Sequence, residues 1–165
     1  MSDVPEIEEA TAEDRIAIAH LNVWAYREYS NELGAEVWPG MVNTLTAIAP
    51  AAETATFLVA ADEEGLVGSV AYRRPGWAPP PLPAAWASID LLAVAPSARN
   101  EGIARALVQA CIVRAEADGA DTIGATVDGL MAGAQALFSG LGFHKEQGLA
   151  KKGAQPYWMY RRRLG

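Results

Sequence analysis

The spacing of apolar residues changes several times along the chain, and each change marks an element. Between Thr56 and Arg73, two short apolar runs rich in β-branched and aromatic residues flank Asp-Glu-Glu-Gly. This pattern predicts a hairpin with strands over about Thr56 to Ala61 and Leu66 to Arg73. The stretch WASIDLLAV, ending at Val94, is almost unbroken in its apolar character and suits a strand covered on both faces. From Ile103 to about Ala117 the period lengthens. Ala104, Leu107, Val108, Cys111 and Ala115 keep the i, i+3, i+4, i+7 spacing of a buried helical stripe.

ADTIGATVD then reads as a strand, Leu130 to Leu141 as a helix and PYWMYRRRL as a closing strand. Upstream, EIEEAT is a short strand, and Thr11 with Asp14 has capping-box spacing for a helix from about Ala12 to Tyr29. NELGAEVWPG breaks that helix, and a second, shorter one is expected from about Met41 to Ile48. Five prolines between Pro75 and Pro83 deny that stretch a regular ladder and make it a loop. The alternation of strands and helices, with no repeat or linker, predicts one α/β (α+β) domain over residues 1–165.

Composition narrows the function. The chain has 165 residues and a net charge of −7, which argues against non-specific nucleic-acid binding, since that needs a basic face to displace counterions from phosphates. The charge is uneven: residues 1–70 hold 13 acids against two bases, and residues 71–165 hold seven acids against 11 bases. A solvated acidic surface explains the split, and so does a cationic substrate on one side with an anionic cofactor on the other. No apolar run reaches the roughly 20 residues of a membrane span, and the acidic start MSDVPEIEEA is unlike a signal peptide, so a cytoplasmic protein is expected. Cys111 is the sole cysteine, and His20 and His144 are the only histidines. No disulfide framework and no metal site are expected. Cys111 reads as a core residue and the two histidines as structural.

No phosphate loop of the G-x-x-x-x-G-K-[ST] type, no G-x-G-x-x-G after a strand and no G-x-S-x-G elbow occurs. What remains is LLAVAPSARNEGIARALV, Leu91 to Val108. It is either a plain strand-to-helix connection or a loop whose backbone amides grip an anion. Val94, Pro96, Arg99, Asn100, Gly102 and Ala104 resemble the V-x-P-x-x-R-G-x-G-x-G/A signature of the GNAT superfamily of N-acetyltransferases. Asn100 replaces the usual glycine, and Ala104 is an accepted variant. The preceding ASIDLLAV is similar to that family's central strand, and AQALFSGLGFHKE to its later helix and turn. The resemblance covers mainly residues 87 to 145.

It implies a central mixed, twisted sheet of six or seven strands flanked by about four helices. It also implies acetyl-coenzyme A as cosubstrate, with direct transfer of the acetyl group to a primary amine of a small molecule or peptide in a ternary complex. Gly102 and its small neighbours would let the amides of Arg99, Asn100, Glu101, Gly102, Ile103, Ala104 and Arg105 converge on the pyrophosphate. The dipole of the following helix would assist, and the Arg99 and Arg105 side chains would add charge. Leu92, Ala93 and Val94 would pair with the pantetheine arm through their backbones, and the Val94 N–H would stabilise the oxyanion.

Phe138 stands where the family often carries a tyrosine general acid. It cannot donate a proton and would pack against the cofactor arm, while a thiol of pKa about 8.5 leaves tolerably as thiolate, which water would then protonate. Met131 stands where many members have an asparagine and reads as core filler. Asp90, a charge in an apolar strand, either meets the substrate amine or orients a water, or else pairs with a structural neighbour. Ser88 lies on the same strand face where relatives carry a glutamate, which suggests a water-mediated base. Trp24, Tyr26, Tyr29 and Trp38 with Glu28, Glu32 and Glu36 form either an aromatic and acidic acceptor pocket or ordinary packing and surface. Arg161 to Arg163 are expected to flank an edge strand. Family members are frequently homodimers. A coenzyme A-binding or sensor module without efficient transfer is the alternative function, and an anion-binding α/β protein unrelated to acyl transfer is a third.

Overall fold

The computed structural model describes residues 4–128, 132–150 and 156–165. Seven strands form one sheet: β1 (Ile7–Glu9), β2 (Thr56–Asp62), β3 (Gly65–Arg73), β4 (Ala87–Val94), β5 (Thr122–Asp128), β6 (His144–Ala150) and β7 (Pro156–Arg163). Their order is β1-β2-β3-β4-β5-β7-β6. The sheet is mixed: β4 and β5 run parallel, whereas β1 with β2, β5 with β7 and β6 with β7 are antiparallel. The helices among the described residues are α1 (Arg15–Tyr26), α2 (Ser30–Thr46), a single turn α3 (Ile48–Ala51), α4 (Ile103–Ala117) and α5 (Ala132–Gly140). The expected α/β class, strand count and four longer helices are all found.

The details follow from local chemistry. The Asp14 carboxylate accepts the Thr11 N–H at 2.9 Å, and the chain opens as a 3-10 turn (Ala12–Asp14) before α1 begins. The expected break within NELGAEVWPG is found at Gly34, but the second helix resumes directly after it rather than near Met41, so most of this stretch is helical. Gly34 alone absorbs the discontinuity, with φ 79° and ψ 171°, and the helix resumes with Pro39 inside it. The proline stands five residues after the glycine, past the free amides of the first turn, so it withholds the helical bond to the carbonyl of residue 35. Strand β6 was not placed in the sequence reading. Its polar, glycine-containing run HKEQGLA shows no alternation and is held as a strand by pairing along β7. That pairing also corrects the expectation for Arg161 to Arg163. β7 lies between β5 and β6, with Arg161 opposite both Gly124 and His144, so the basic run is not on an edge strand. Leu130 and Met131 lie outside the described residues.

The chain divides into two compact units, residues 1–71 with 91–110 and residues 72–90 with 111–165. In the first, Ile18, Ile48, Phe57, Val59 and Ala71 form a buried cluster, and the buried Asn22 side chain donates to the Leu45 carbonyl at 3.0 Å. Gly68 lets α4 lie against β3, since a Cβ there would stand 2.7 Å from Ile103 Cγ2 and 2.9 Å from Leu107 Cδ1. In the second unit, Gly124 makes room for a ring: a Cβ would stand 2.6 Å from Trp86 Cε3. Phe138 packs edge-on to Phe143, 5.0 Å between centroids, and 6.0 Å from Tyr160. The proline-rich connection is a loop as expected. It is tied by the Gly76 N–H to the Ala84 carbonyl at 2.6 Å and buries Ala78 and Leu82.

Candidate functional site

Strand β4 is irregular where the sequence motif begins. It pairs with β5 through Ala87, Ser88 and Ile89, opposite Ile123, Gly124 and Ala125. Two residues later Leu91 stands at φ 54°, a left-handed conformation that costs a non-glycine residue about 1–2 kcal/mol and persists only where the surrounding structure imposes it. Beyond this bend, the Ala95 N–H donates to the Val67 carbonyl on β3 at 2.8 Å. Alternation along an extended chain then turns Ala93 toward β3 and directs the backbone groups of Leu92 and Val94 to the opposite edge. That edge is reached from α1: the Tyr26 hydroxyl donates to the Leu92 carbonyl at 2.8 Å.

The chain continues into a 3-10 turn over Pro96–Ala98, closed by the Ala98 N–H on the Ala95 carbonyl at 2.8 Å. Asn100 has φ 64° and Gly102 φ 85°. Asparagine is among the few residues that tolerate this region, which explains how it replaces a glycine at position 100. The first helical bond of α4 runs from the Ala106 N–H to the Gly102 carbonyl at 3.0 Å. The amides of Ile103, Ala104 and Arg105 precede it, so they lack intrahelical acceptors and lie at the positive end of the helix dipole. Around them Ile103 is buried, Ala104 half-buried, and Glu101 and Arg105 exposed. Left-handed residues before a helix start create the concave main-chain surfaces that hold anions.

Arg99 has a different partner from the one its motif position suggests. Its guanidinium donates to the Glu28 carboxylate at 2.6 Å and to the Ala25 carbonyl at 2.8 Å. It therefore satisfies a free carbonyl at the C-terminal end of α1, where a cation is favoured by the dipole. The partly exposed ion pair with Glu28 adds little stability, yet the two contacts fix the loop to α1. Tyr26 and Tyr29 flank this anchor, edge to face at 6.3 Å. Burial and the neighbouring Glu28 push the Tyr29 phenol above its ordinary pKa. Of the proposed acceptor residues, the structure thus brings Tyr26, Tyr29 and Glu28 together. Trp24, Glu32 and Glu36 are exposed, and Trp38 is half-buried.

In the second unit, Asp90 meets Arg73, with the guanidinium donating to Asp90 Oδ1 at 2.6 Å. Desolvation raises the Asp90 carboxyl above its ordinary value, and the Arg73 charge and hydrogen bond oppose that rise. Ser88 is 1% exposed and its Oγ has no hydrogen-bond partner among the described residues. Phe138 is 3% exposed within its aromatic cluster. Cys111 is fully buried, as expected, and burial pushes its thiol up to about 12, so it is not a nucleophile. His20 and His144 are exposed, and no group of His, Cys, Asp and Glu capable of holding a metal occurs among the described residues. No helix among them is long and apolar enough to cross a membrane.

A bent strand, two left-handed residues and a helix N-terminus thus follow one another in the first unit. Comparisons with known proteins place the chain in a family. The sequence model of the Acetyltransferase (GNAT) family matches residues 16–143, and the chain belongs to that family. No curated protein matches it by sequence. Among solved structures it is similar to the PaiA N-acetyltransferase from Thermoplasma acidophilum in complex with coenzyme A. The TM-score is 0.77 at 14% identity, covering 96% of this chain and 98% of that one. It is also similar to histone acetyltransferase HPA2 and related acetyltransferase from Corynebacterium glutamicum (TM-score 0.74, 22% identity, 99% and 98% coverage). A third is the ribosomal-protein-S18-alanine N-acetyltransferase from Escherichia coli (TM-score 0.72, 18% identity, 97% and 94% coverage).

Proposed function

We propose that the chain, acting as one acetyltransferase domain over residues 1–165, transfers the acetyl group of acetyl-coenzyme A to a primary amine of a small molecule or peptide. The observation that carries this reading is the main-chain geometry within one unit. The positive φ of Asn100 (64°) and Gly102 (85°) precedes the free amides of α4, and the Leu92 and Val94 backbone groups share one edge of β4. The residues fit the group. The concavity and dipole suit a diphosphate, and an edge of alternating donors and acceptors suits the amides of a pantetheine arm. The Thermoplasma neighbour, in complex with coenzyme A, supports the same choice of donor.

Within this reading, the amides of residues 99–105 hold the diphosphate and Arg105 adds charge. Arg99 holds the loop on α1 through Glu28 and the Ala25 carbonyl rather than reaching the phosphates. Val94 and the Leu92 N–H supply the backbone for the arm, whereas Ala93, expected to share in this, faces β3 instead. The bend at Leu91 favours the Leu92 N–H as oxyanion donor, sharing its direction with the Val94 N–H. Asp90 anchors the amine or orients a proton-accepting water, with Ser88 Oγ as a further hydrogen-bonding group. Its pairing with Arg73 suits positioning better than service as a free base.

Two measurements test this. Calorimetric binding of acetyl-coenzyme A should be accompanied by thermal stabilisation of about 2.7 kcal/mol at 100 times the dissociation constant. Thiol release across a panel of amino acids, aminoalkyl compounds and peptides should identify an acceptor. Binding without thiol release would favour the sensor reading, which the buried Phe138 and the paired Asp90 also accommodate. Absence of binding would reject both.

A further inference from the structure

We propose that Tyr26 is the proton donor to the departing thiol, taking the role that Phe138 cannot fill. The inference rests on the acetyl-coenzyme A reading above. The diphosphate loop begins where β4 ends, so an arm anchored at residues 99–105 runs back along β4, passing Val94 before Leu92. An added strand lies roughly 4.7–4.9 Å from its neighbour. The Tyr26 hydroxyl, 2.8 Å from the Leu92 carbonyl, stands in that lane at the end away from the loop. It is therefore placed at the thioester end of the arm, beside the bend at Leu91.

The same hydroxyl is held there by its neighbours. Arg99 grips the Ala25 carbonyl and the Glu28 side chain on either side of residue 26, and Tyr29 packs against its ring at 6.3 Å. Thus the residue that fixes the phosphate loop to α1 also fixes the distance from that loop to the phenol. Phe138 lies within the aromatic cluster of the other unit and carries no exchangeable proton.

The step balances without a further reagent. The neutral amine attacks the thioester carbon, forming the C–N bond and placing charge on the oxygen. Return of that charge breaks the C–S bond, and Tyr26 gives its proton to the sulfur. The nitrogen loses one proton to water, and the tyrosinate regains one from water, leaving amide and thiol.

The test compares wild type with Tyr26→Phe, using the acceptor that gives the highest wild-type thiol release in the amine panel, and water alone for acceptor-independent hydrolysis. The expected result is a fall in kcat of roughly 100-fold, acetyl-coenzyme A affinity within about twofold, and loss of the alkaline limb of the pH profile. A second readout needs no turnover. Ultraviolet titration of the bound coenzyme A thiol should show ionisation at lower pH in wild type than in Tyr26→Phe, because the hydroxyl hydrogen-bonds the thiolate. Site-specific fluorotyrosine at position 26, which leaves the packing in place, should move the alkaline limb to lower pH. Unchanged kcat and thiol titration in a folded Tyr26→Phe, or tighter coenzyme binding with normal turnover, would overturn the role of Tyr26 alone. Wild type that binds coenzyme A and releases no thiol with any acceptor would overturn the transferase reading, and this proposal with it.

Discussion

The unit containing residues 91–110 and the unit containing residues 72–90 and 111–165 treat their polar groups in opposite ways. In the first, the proposed binding groups are main-chain amides, presented by a bent strand and by a helix that starts after two left-handed residues. In the second, the candidate side chains are engaged or enclosed: Asp90 is paired with Arg73 at 2.6 Å, Phe138 is packed among aromatics, and Ser88 is buried. A site built from backbone is indifferent to most side-chain changes and sensitive to changes of φ. A site built from paired side chains has the reverse sensitivity.

The largest expected effect therefore comes from conformation. At Gly102 an added Cβ would meet only Val4 Cγ2, at 3.4 Å, but φ is 85°. Gly102→Val should cost about 1–2 kcal/mol in backbone strain and turn the loop amides away. Loss of two charge-assisted hydrogen bonds at about 1.5–3 kcal/mol each predicts a coenzyme A affinity weakened by roughly 100-fold or more in calorimetry. Unchanged affinity would place the diphosphate elsewhere.

The two close-packed glycines sharpen the contrast. Gly68→Ala presses on Ile103 and Leu107, and Gly124→Ala presses on Trp86. Each should lower stability by about 1–3 kcal/mol through overpacking, measured by chemical denaturation. Only Gly68→Ala, which displaces the start of α4, should also weaken coenzyme A binding.

Asp90→Asn should cost at most about 1–2 kcal/mol, because losing one charged partner of the buried Arg73 guanidinium is partly offset by removing a carboxylate that desolvation disfavours and that is itself 34% exposed. Its pH signature has a definite sign. Desolvation raises the folded-state carboxyl above the ordinary 3.8, so the folded chain holds a proton that the unfolded chain has released. The associated stability is fully present below the ordinary value and is lost as pH rises through the raised one. Urea midpoints measured across the acidic range should show that decline in wild type and lose it in Asp90→Asn. The smallest effect is expected from Phe138→Tyr. A hydroxyl added to a buried ring should cost about 1–2 kcal/mol and leave turnover unchanged, since the proton donor lies elsewhere.

Much of this was legible in the sequence because it rests on local signals. The 56–73 hairpin, β4, α4 and the loop motif follow from period and turn chemistry, and Asn100 takes the left-handed conformation that its replacement of glycine implies. The extent of α2 was misread because Gly34 and Pro39 are individually helix breakers, and only the structure shows Gly34 taking the whole discontinuity. Strand β6 was missed because pairing along β7, rather than its own polar residues, makes it a strand. The Tyr26 bond to Leu92 spans 66 positions, and the Arg99 contacts with Ala25 and Glu28 are similarly distant. No spacing rule reaches that far. The bend at Leu91 is likewise silent, since leucine carries no sign of positive φ.

The central claim is that main-chain amides between Arg99 and Arg105 hold a diphosphate while the β4 edge holds the arm. An amide-resolved NMR titration tests it most directly, with coenzyme A compared against pantetheine, which lacks the diphosphate. The account predicts that the amides of Gly102, Ile103 and Ala104 shift with coenzyme A alone, whereas Val94 responds to both. Loop amides that stay unmoved while coenzyme A binds would contradict it.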